Sequence, residues 1–289
     1  MIGGAVLRNE NEVLRQILDF ANSENRVRAV MQNGSRVNSN APKDIMQDYD
    51  VVFFIENIKD ESYKNDTRWI DRFGELVILQ QNDFEDGYIF LMQFKDGVRI
   101  DLSFVDIKRI EEAAREDTLS IIILDKDSIA PELPPPNDSY YYVQKPSEKE
   151  FDELLNEAWW IQTYVAKGIW RNELPIAKYM FDVILMDCIR KLLSWHIGEI
   201  NNWTVNVGKC GKWLKRYLPE EIYDEFVLLY PGADYEEIWE ALFRAGKFIR
   251  KIGKSLAEAL KYSYPMKDDI NVTEYLRRIK ELPGDATDF

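Results

Sequence analysis

Apolar and polar positions run in two rhythms through the first half of the chain. Residues 10–24, ENEVLRQILDFANSE, place Val13, Leu14, Ile17, Leu18 and Ala21 at helical spacing, which predicts an amphipathic helix. VRAVMQ (27–32) reads as a short strand stopped by Asn33–Gly34. DVVFFI (50–55) is continuous and β-branched, as expected of a central strand. ELVILQQ (75–81), GYIFLMQF (87–94) and VRIDLSFV (98–105) predict further strands, with Asp96–Gly97 as the turn between the last two. A helix over 107–117 and a strand over 120–125 follow. Mixed strands with helices between them predict an α+β sheet domain over residues 1–130.

The texture then changes. Residues 130–146, APELPPPNDSYYYVQKP, hold five prolines and no periodic pattern, so 131–146 reads as a stiff linker. Ser147 with Glu150 three positions on has the form of a capping box. From there the spacing is helical over 148–168, 173–197, 208–217, 219–229, 234–264 and 272–281. The second domain, 147–289, is expected to be an all-helical bundle, with a cleft between it and the sheet domain.

Composition narrows the chemistry. The 289 residues are 46% hydrophobic and 13% aromatic, enough for a packed core. The net charge of −14 disfavours nucleic acid as the main ligand and favours cationic ones. No apolar run nears the roughly 20 residues that span a bilayer, and MIGGAVLRNE lacks the pattern of a signal peptide. Two distant cysteines, Cys188 and Cys210, suit a reducing cytoplasm. The single histidine, His196, ends an apolar helical run, so a multi-histidine metal site is excluded.

The unusual feature is QNGSRVN followed by QDYDVVFF. Asp48 and Asp50 are two apart at the lip of a strand and so share a face. Their repulsion is unfavourable unless a cation lies between them, and oxygen ligands suit Mg²⁺. Asp101 interrupts the apolar strand RIDLSF, where a lone charge is costly unless paired. If that strand lies beside 50–55, three carboxylates converge into a site for phosphoryl or nucleotidyl chemistry. Gly34–Ser35, after a strand and opening a helix, would meet phosphate oxygens, with Arg36 as a further contact. Taken singly, a Gly-Ser turn is usually structural and an Asp-x-Asp pair is often a helix cap.

Together, these features resemble the polymerase-β-like nucleotidyltransferase superfamily, whose signature is Gly-Ser, Asp-x-Asp and a third acidic residue. QNGSRVN, QDYDVVFF, DGVRIDLSF and GKCGKWLKRYLP are, within it, similar to the aminoglycoside 6-adenylyltransferases, the streptomycin-modifying enzymes. The resemblance runs over nearly the whole chain. It implies Mg²⁺-dependent transfer of AMP from ATP to the 6-hydroxyl of a streptomycin-type aminoglycoside, conferring resistance. Asp48, Asp50 and Asp101 become the catalytic and metal residues, with Asp101 also the candidate base. A neighbouring subgroup carries glutamate at the third position. Lys209, Lys212 and Tyr230 are candidates for the triphosphate. A polycationic acceptor calls for carboxylates and aromatic faces; Glu157, Trp160, Tyr164, Asp182 and Asp187 are candidates, with Trp159 beside them. A salt bridge from Asp182 to Lys178, Arg190 or Lys191 is the structural alternative. A cleft within one chain needs no second copy, so a monomer is expected. The rival functions are a nucleotidyltransferase with another acceptor and a non-catalytic nucleotide-binding module.

Overall fold

The structure, a computed structural model, describes residues 7–288 and divides into two compact units, Met1–Tyr140 and Tyr141–Phe289. The first six residues, part of the stretch read above for a signal peptide, lie outside the described residues.

Helix α1 (Glu10–Ser23) is opened by a reciprocal capping box between Asn9 and Glu12, and buries Val13, Ile17, Phe20 and Ala21. Strands β1 (Val27–Asn33) and β2 (Tyr49–Ile55) follow, then the single turn α2 (Ser62–Asn65). Strands β3 (Leu76–Phe84), β4 (Gly87–Phe94) and β5 (Arg99–Asp106), helix α3 (Ile110–Glu116) and strand β6 (Ser120–Asp125) complete the unit. The sheet order is β3-β4-β5-β2-β1-β6. Among the described residues β2 and β5 are the only parallel neighbours. One face carries Val51, Phe53, Leu102 and Phe104 against Val13, Ile17 and Phe20 of α1. The other carries Ala29, Met31, Phe54 and Val105 against Ile110 and Ala114 of α3. The mixed sheet and its α+β class match the sequence expectation.

Three local expectations change. Gly34–Ser35 opens no α-helix: the backbone makes one 3₁₀ turn, Gly34–Arg36, because Gly34 stands at φ +78°. The strand expected over 75–81 extends to Phe84 and turns back through Glu85–Asp86. The helix expected over 107–117 begins as a 3₁₀ turn, Ile107–Arg109, capped by the Asp106 carboxylate on the Lys108 N–H at 2.9 Å. In the proline-rich stretch, Leu133 packs against the second face of the sheet, and buried Asp138 accepts from Asn40 Nδ2 at 3.0 Å.

The second unit is helical: α4 (Glu148–Trp170), α5 (Leu174–Lys178), α6 (Met186–Ile200), α7 (Leu214–Tyr217), α8 (Glu220–Val227), α9 (Tyr235–Leu260) and α10 (Met266–Glu281). Ser147 and Glu150 form the reciprocal capping box of α4. Between α5 and α6 the coil widens into a π-helix, Tyr179–Leu185. The core holds Phe151, Trp159, Phe181, Leu192, Leu242 and Ile249. The helix expected over 208–217 is a loop with a 3₁₀ turn and a short helix, since Gly208, Cys210 and Gly211 all have positive φ. Helix α9 stops at Leu260 because Lys261 is left-handed. Helix α10 starts at Met266 and not at 272: Pro265 needs no donor there, and Asp268 and Asp269 complement the helix start.

Candidate active site

The chain brings two of its three singled-out aspartates abreast by strand register. Asp50 on β2 pairs with Asp101 on the parallel strand β5, so both project from the same face. That face also bears Val52 and Phe54 further along β2, opposite the larger apolar face of the sheet. Asp48 lies two residues before Asp50 on the same lip. Among the described residues the Asp50 carboxyl has neither a hydrogen bond nor an ion pair. Burial, then the charges of Asp101 and Asp48, push its pKa up to about 6.

Gly34 makes the crowding possible. A Cβ on Gly34 would stand 2.2 Å from Asp50 Oδ2, so the turn can pass the carboxyl only without a side chain. The Gly34 N–H donates to the Leu119 carbonyl at 3.1 Å, which fastens the turn to the start of β6. That donor is therefore not open to a phosphate, and a single 3₁₀ turn has no helix dipole to offer one. Ser35 is held by Gln47, whose Nε2 lies 3.3 Å from both its carbonyl and its Oγ. Along the same row across the sheet, Asn33 pairs with Asp50 and with Ser120. Asn33 Oδ1 and Ser120 Oγ are buried without partners.

Arg36 packs inward. Its Nε donates to the Asp48 carbonyl at 3.0 Å, its Nη2 to the Gln47 carbonyl at 2.7 Å, and its guanidinium lies 3.6 Å from the centroid of the Tyr49 ring. It braces the loop that delivers Asp48, and those bonds would have to break before it could reach a phosphate.

Arg99, which the sequence reading passed over, stands among the carboxylates. Its Nε and Nη2 each donate to an Asp101 oxygen at 2.8 Å, and its Nε is 3.6 Å from Asp48 Oδ2. The signal was its position two residues before Asp101 on one strand, hence on one face. Among the described residues no three His, Cys, Asp or Glu side chains stand in a ready metal-ligating group. The donors nonetheless fit a hard divalent ion: all are carboxylate oxygens, and Asp50 is partly buried, unpaired and reluctant to ionise without a cation.

The second unit's candidates fall into separate groups. Glu157, Trp160 and Tyr164 are exposed along one face of α4, with the two rings 6.3 Å apart edge to face. Trp159 is in the core. Asp182, on the π-helix, pairs with Lys178 at 3.0 Å, the structural alternative anticipated for it. Lys178 also donates to the Pro231 carbonyl at 2.8 Å and lies 3.1 Å from the Gly232 carbonyl. Asp187 is exposed beside Arg190 at 3.2 Å. Lys209 and Lys212 are exposed on the 208–213 loop, Lys212 over the Trp213 ring at 5.2 Å, and so do not share a helix face. Tyr230 is exposed and edge-on to Phe226. Burial lowers the pKa of His196, which sits half-buried on α6.

Residues 7–279 match the family described as streptomycin adenylyltransferase. An aminoglycoside 6-adenylyltransferase of Campylobacter jejuni is 35% identical over 96% of this chain and 98% of its own length. One from Bacillus subtilis (strain 168) is 34% identical over 94% and 98%. The solved structure of an aminoglycoside 6-adenyltransferase from Bacillus subtilis, 29% identical, covers 96% of this chain and 100% of its own, with a TM-score of 0.49.

Proposed function

The chain belongs to the streptomycin adenylyltransferase family and is a nucleotidyltransferase, and we propose that it transfers AMP from ATP to a hydroxyl, that at position 6, of a streptomycin-type aminoglycoside. The observation that supports this reading is the pairing of Asp50 with Asp101 beside a glycine that admits no side chain. A sugar hydroxyl is a poor nucleophile at neutral pH and needs a base. In this reading Asp101 takes the hydroxyl proton. The oxygen then bonds to the α-phosphorus, the bond from that phosphorus to the bridging oxygen breaks, and pyrophosphate leaves with its electron pair.

Asp48 and Asp50, with Asp101, would hold Mg²⁺, which when bound supplies positive charge to the phosphate oxygens. Ser35 is assigned to the phosphates through its hydroxyl, and Gly34 to the close approach of the backbone. Lys209 and Lys212 are assigned to the pyrophosphate. Glu157, Trp160 and Tyr164 offer a carboxylate and two aromatic faces to a cationic acceptor; Asp187 adds charge, while Asp182 would first have to leave Lys178. No helix among the described residues is long and apolar enough to cross a membrane.

The test is pyrophosphate release from ATP with Mg²⁺ across a panel of aminoglycosides. Release is expected only with streptomycin-like acceptors. Asp101→Asn should lose at least about a hundredfold in turnover while binding ATP within a few-fold of wild type. Release with a different acceptor class would move the substrate assignment. Near-normal turnover of Asp101→Asn would remove it as the base.

A further inference from the structure

We propose that Arg99 is a positioning residue: its guanidinium holds Asp101 and Asp48 in the free enzyme and yields its place to the divalent cation. The inference rests on the reading of Asp48, Asp50 and Asp101 as the cation and base site.

The geometry is that of an internal stand-in. The guanidinium fork takes both oxygens of Asp101 at 2.8 Å and reaches within 3.6 Å of Asp48. A bidentate fork fixes the plane of a carboxylate as well as neutralising it. Asp101 is 13% exposed and lies beside Asp50 on the neighbouring strand, so the guanidinium fork is its close counter-charge. Arg99 is the first residue of β5, and 41% of its side chain is open to solvent. It can therefore leave without unpacking any core. With all three carboxylates ionised, one guanidinium leaves the site two negative charges in excess, enough to attract a divalent ion.

The two occupants are not compatible in place. A carboxylate whose oxygens both receive guanidinium N–H bonds is a poor proton acceptor, and a divalent ion beside the guanidinium would face a like charge at close range. Arrival of the cation therefore releases Asp101 from the two-point grip of Arg99, so that one of its oxygens can serve the metal while the other stays open to the acceptor hydroxyl, and departure of the cation returns both to Arg99. In the metal-free enzyme Arg99 opposes the repulsion that would otherwise drive Asp101 and Asp48 apart, and Asp101 becomes available as a base only when the metal is there.

The experiment is a Mn²⁺ titration of the full chain without nucleotide, followed by electron paramagnetic resonance. Wild type, Arg99→Gln, Arg99→Lys and Asp50→Asn are compared, each checked for cooperative thermal unfolding. Arg99→Gln should bind Mn²⁺ about tenfold more tightly than wild type, or about 1.4 kcal/mol. Arg99→Lys, which keeps the charge but loses the fork, should fall between them. Binding by Arg99→Gln that is weaker than wild type, or within twofold of it, overturns the stand-in role. If Arg99→Gln does not fold, Arg99→Lys decides alone, tighter binding supporting the role and equal or weaker binding overturning it. Asp50→Asn binding Mn²⁺ as wild type does would instead sink the carboxylate site itself, whatever Arg99 does.

Discussion

At the scale of the residue, Asp50 carries a stability cost that the proposed cation site would relieve. Its folded pKa is near 6 against an ordinary 3.8, so the folded state binds this proton more tightly than the unfolded chain does. A raised carboxyl favours folding below its unfolded pKa and opposes it as pH rises through the folded value. In metal-free buffer, Asp50→Asn should therefore be more stable than wild type at pH 7.5, by on the order of 1 to 2 kcal/mol after solvent screening. The difference should vanish near pH 4. Urea melts of both proteins in a chelator at the two pH values check this, and equal stability at pH 7.5 would refute it. Of the candidate site, the shared face of Asp50 and Asp101 was legible from spacing, because one opens an apolar strand and the other interrupts one, and the register of β2 with β5 sets them abreast. Arg99 and the inward turn of Arg36 were not. A basic residue at a strand end reads as a solvated charge until strand register shows which carboxylate it meets.

At the scale of the element, strands and long helices followed the hydrophobic period, and the misses came where local backbone overrode it. Within GKCGKWLKRY, apolar spacing suggested a helix, but three positive-φ residues in four positions make a loop. The start of α10 was hidden for the opposite reason. KDDINV has few apolar residues, and the helix is held by charge at its N-terminus and by one buried carboxylate. Asp269 is fully buried, paired with Arg250 of α9 (Nε–Oδ2 2.6 Å) and accepting from Tyr264 Oη at 2.8 Å. Asp269→Ala would leave that guanidinium with only its 3.3 Å bond to Thr273 Oγ1 and take the carboxylate acceptor from Tyr264, at a cost of about 2 to 4 kcal/mol given the partial exposure of Arg250. The midpoint of chemical denaturation should fall accordingly. A loss below about 0.5 kcal/mol would mean that the pair is not what joins α9 to α10.

At the scale of the whole molecule, each unit has a core of its own, so damage to one need not spread to the other. Phe53, fully buried between Phe20 and Phe104 in the sheet unit, is the sharpest probe. Phe53→Ala should cost about 3 to 5 kcal/mol and speed amide exchange in β1, β2 and β5. Protection in α4, α6 and α9 should stay within about threefold of wild type. Equal loss of protection across both units would show a single cooperative block. The division into a sheet half and a helical half was legible because the period changes at the proline-rich stretch. What no period could show is that this stretch itself packs, burying Asp138.

The parallel alignment of β2 with β5 sets when the proposed site can be assembled. About fifty residues separate Asp50 from Asp101, and they must fold back as the β3–β4–β5 meander before the two strands can lie side by side. Such long-range closure comes late, after hairpins and helices have formed. In the proposed reading, a translation product ending before residue 101 lacks the candidate base altogether. The pairing of Asp50 with Asp101 then exists only in a finished sheet, and a shorter product is expected to transfer AMP neither to water nor to the wrong alcohol.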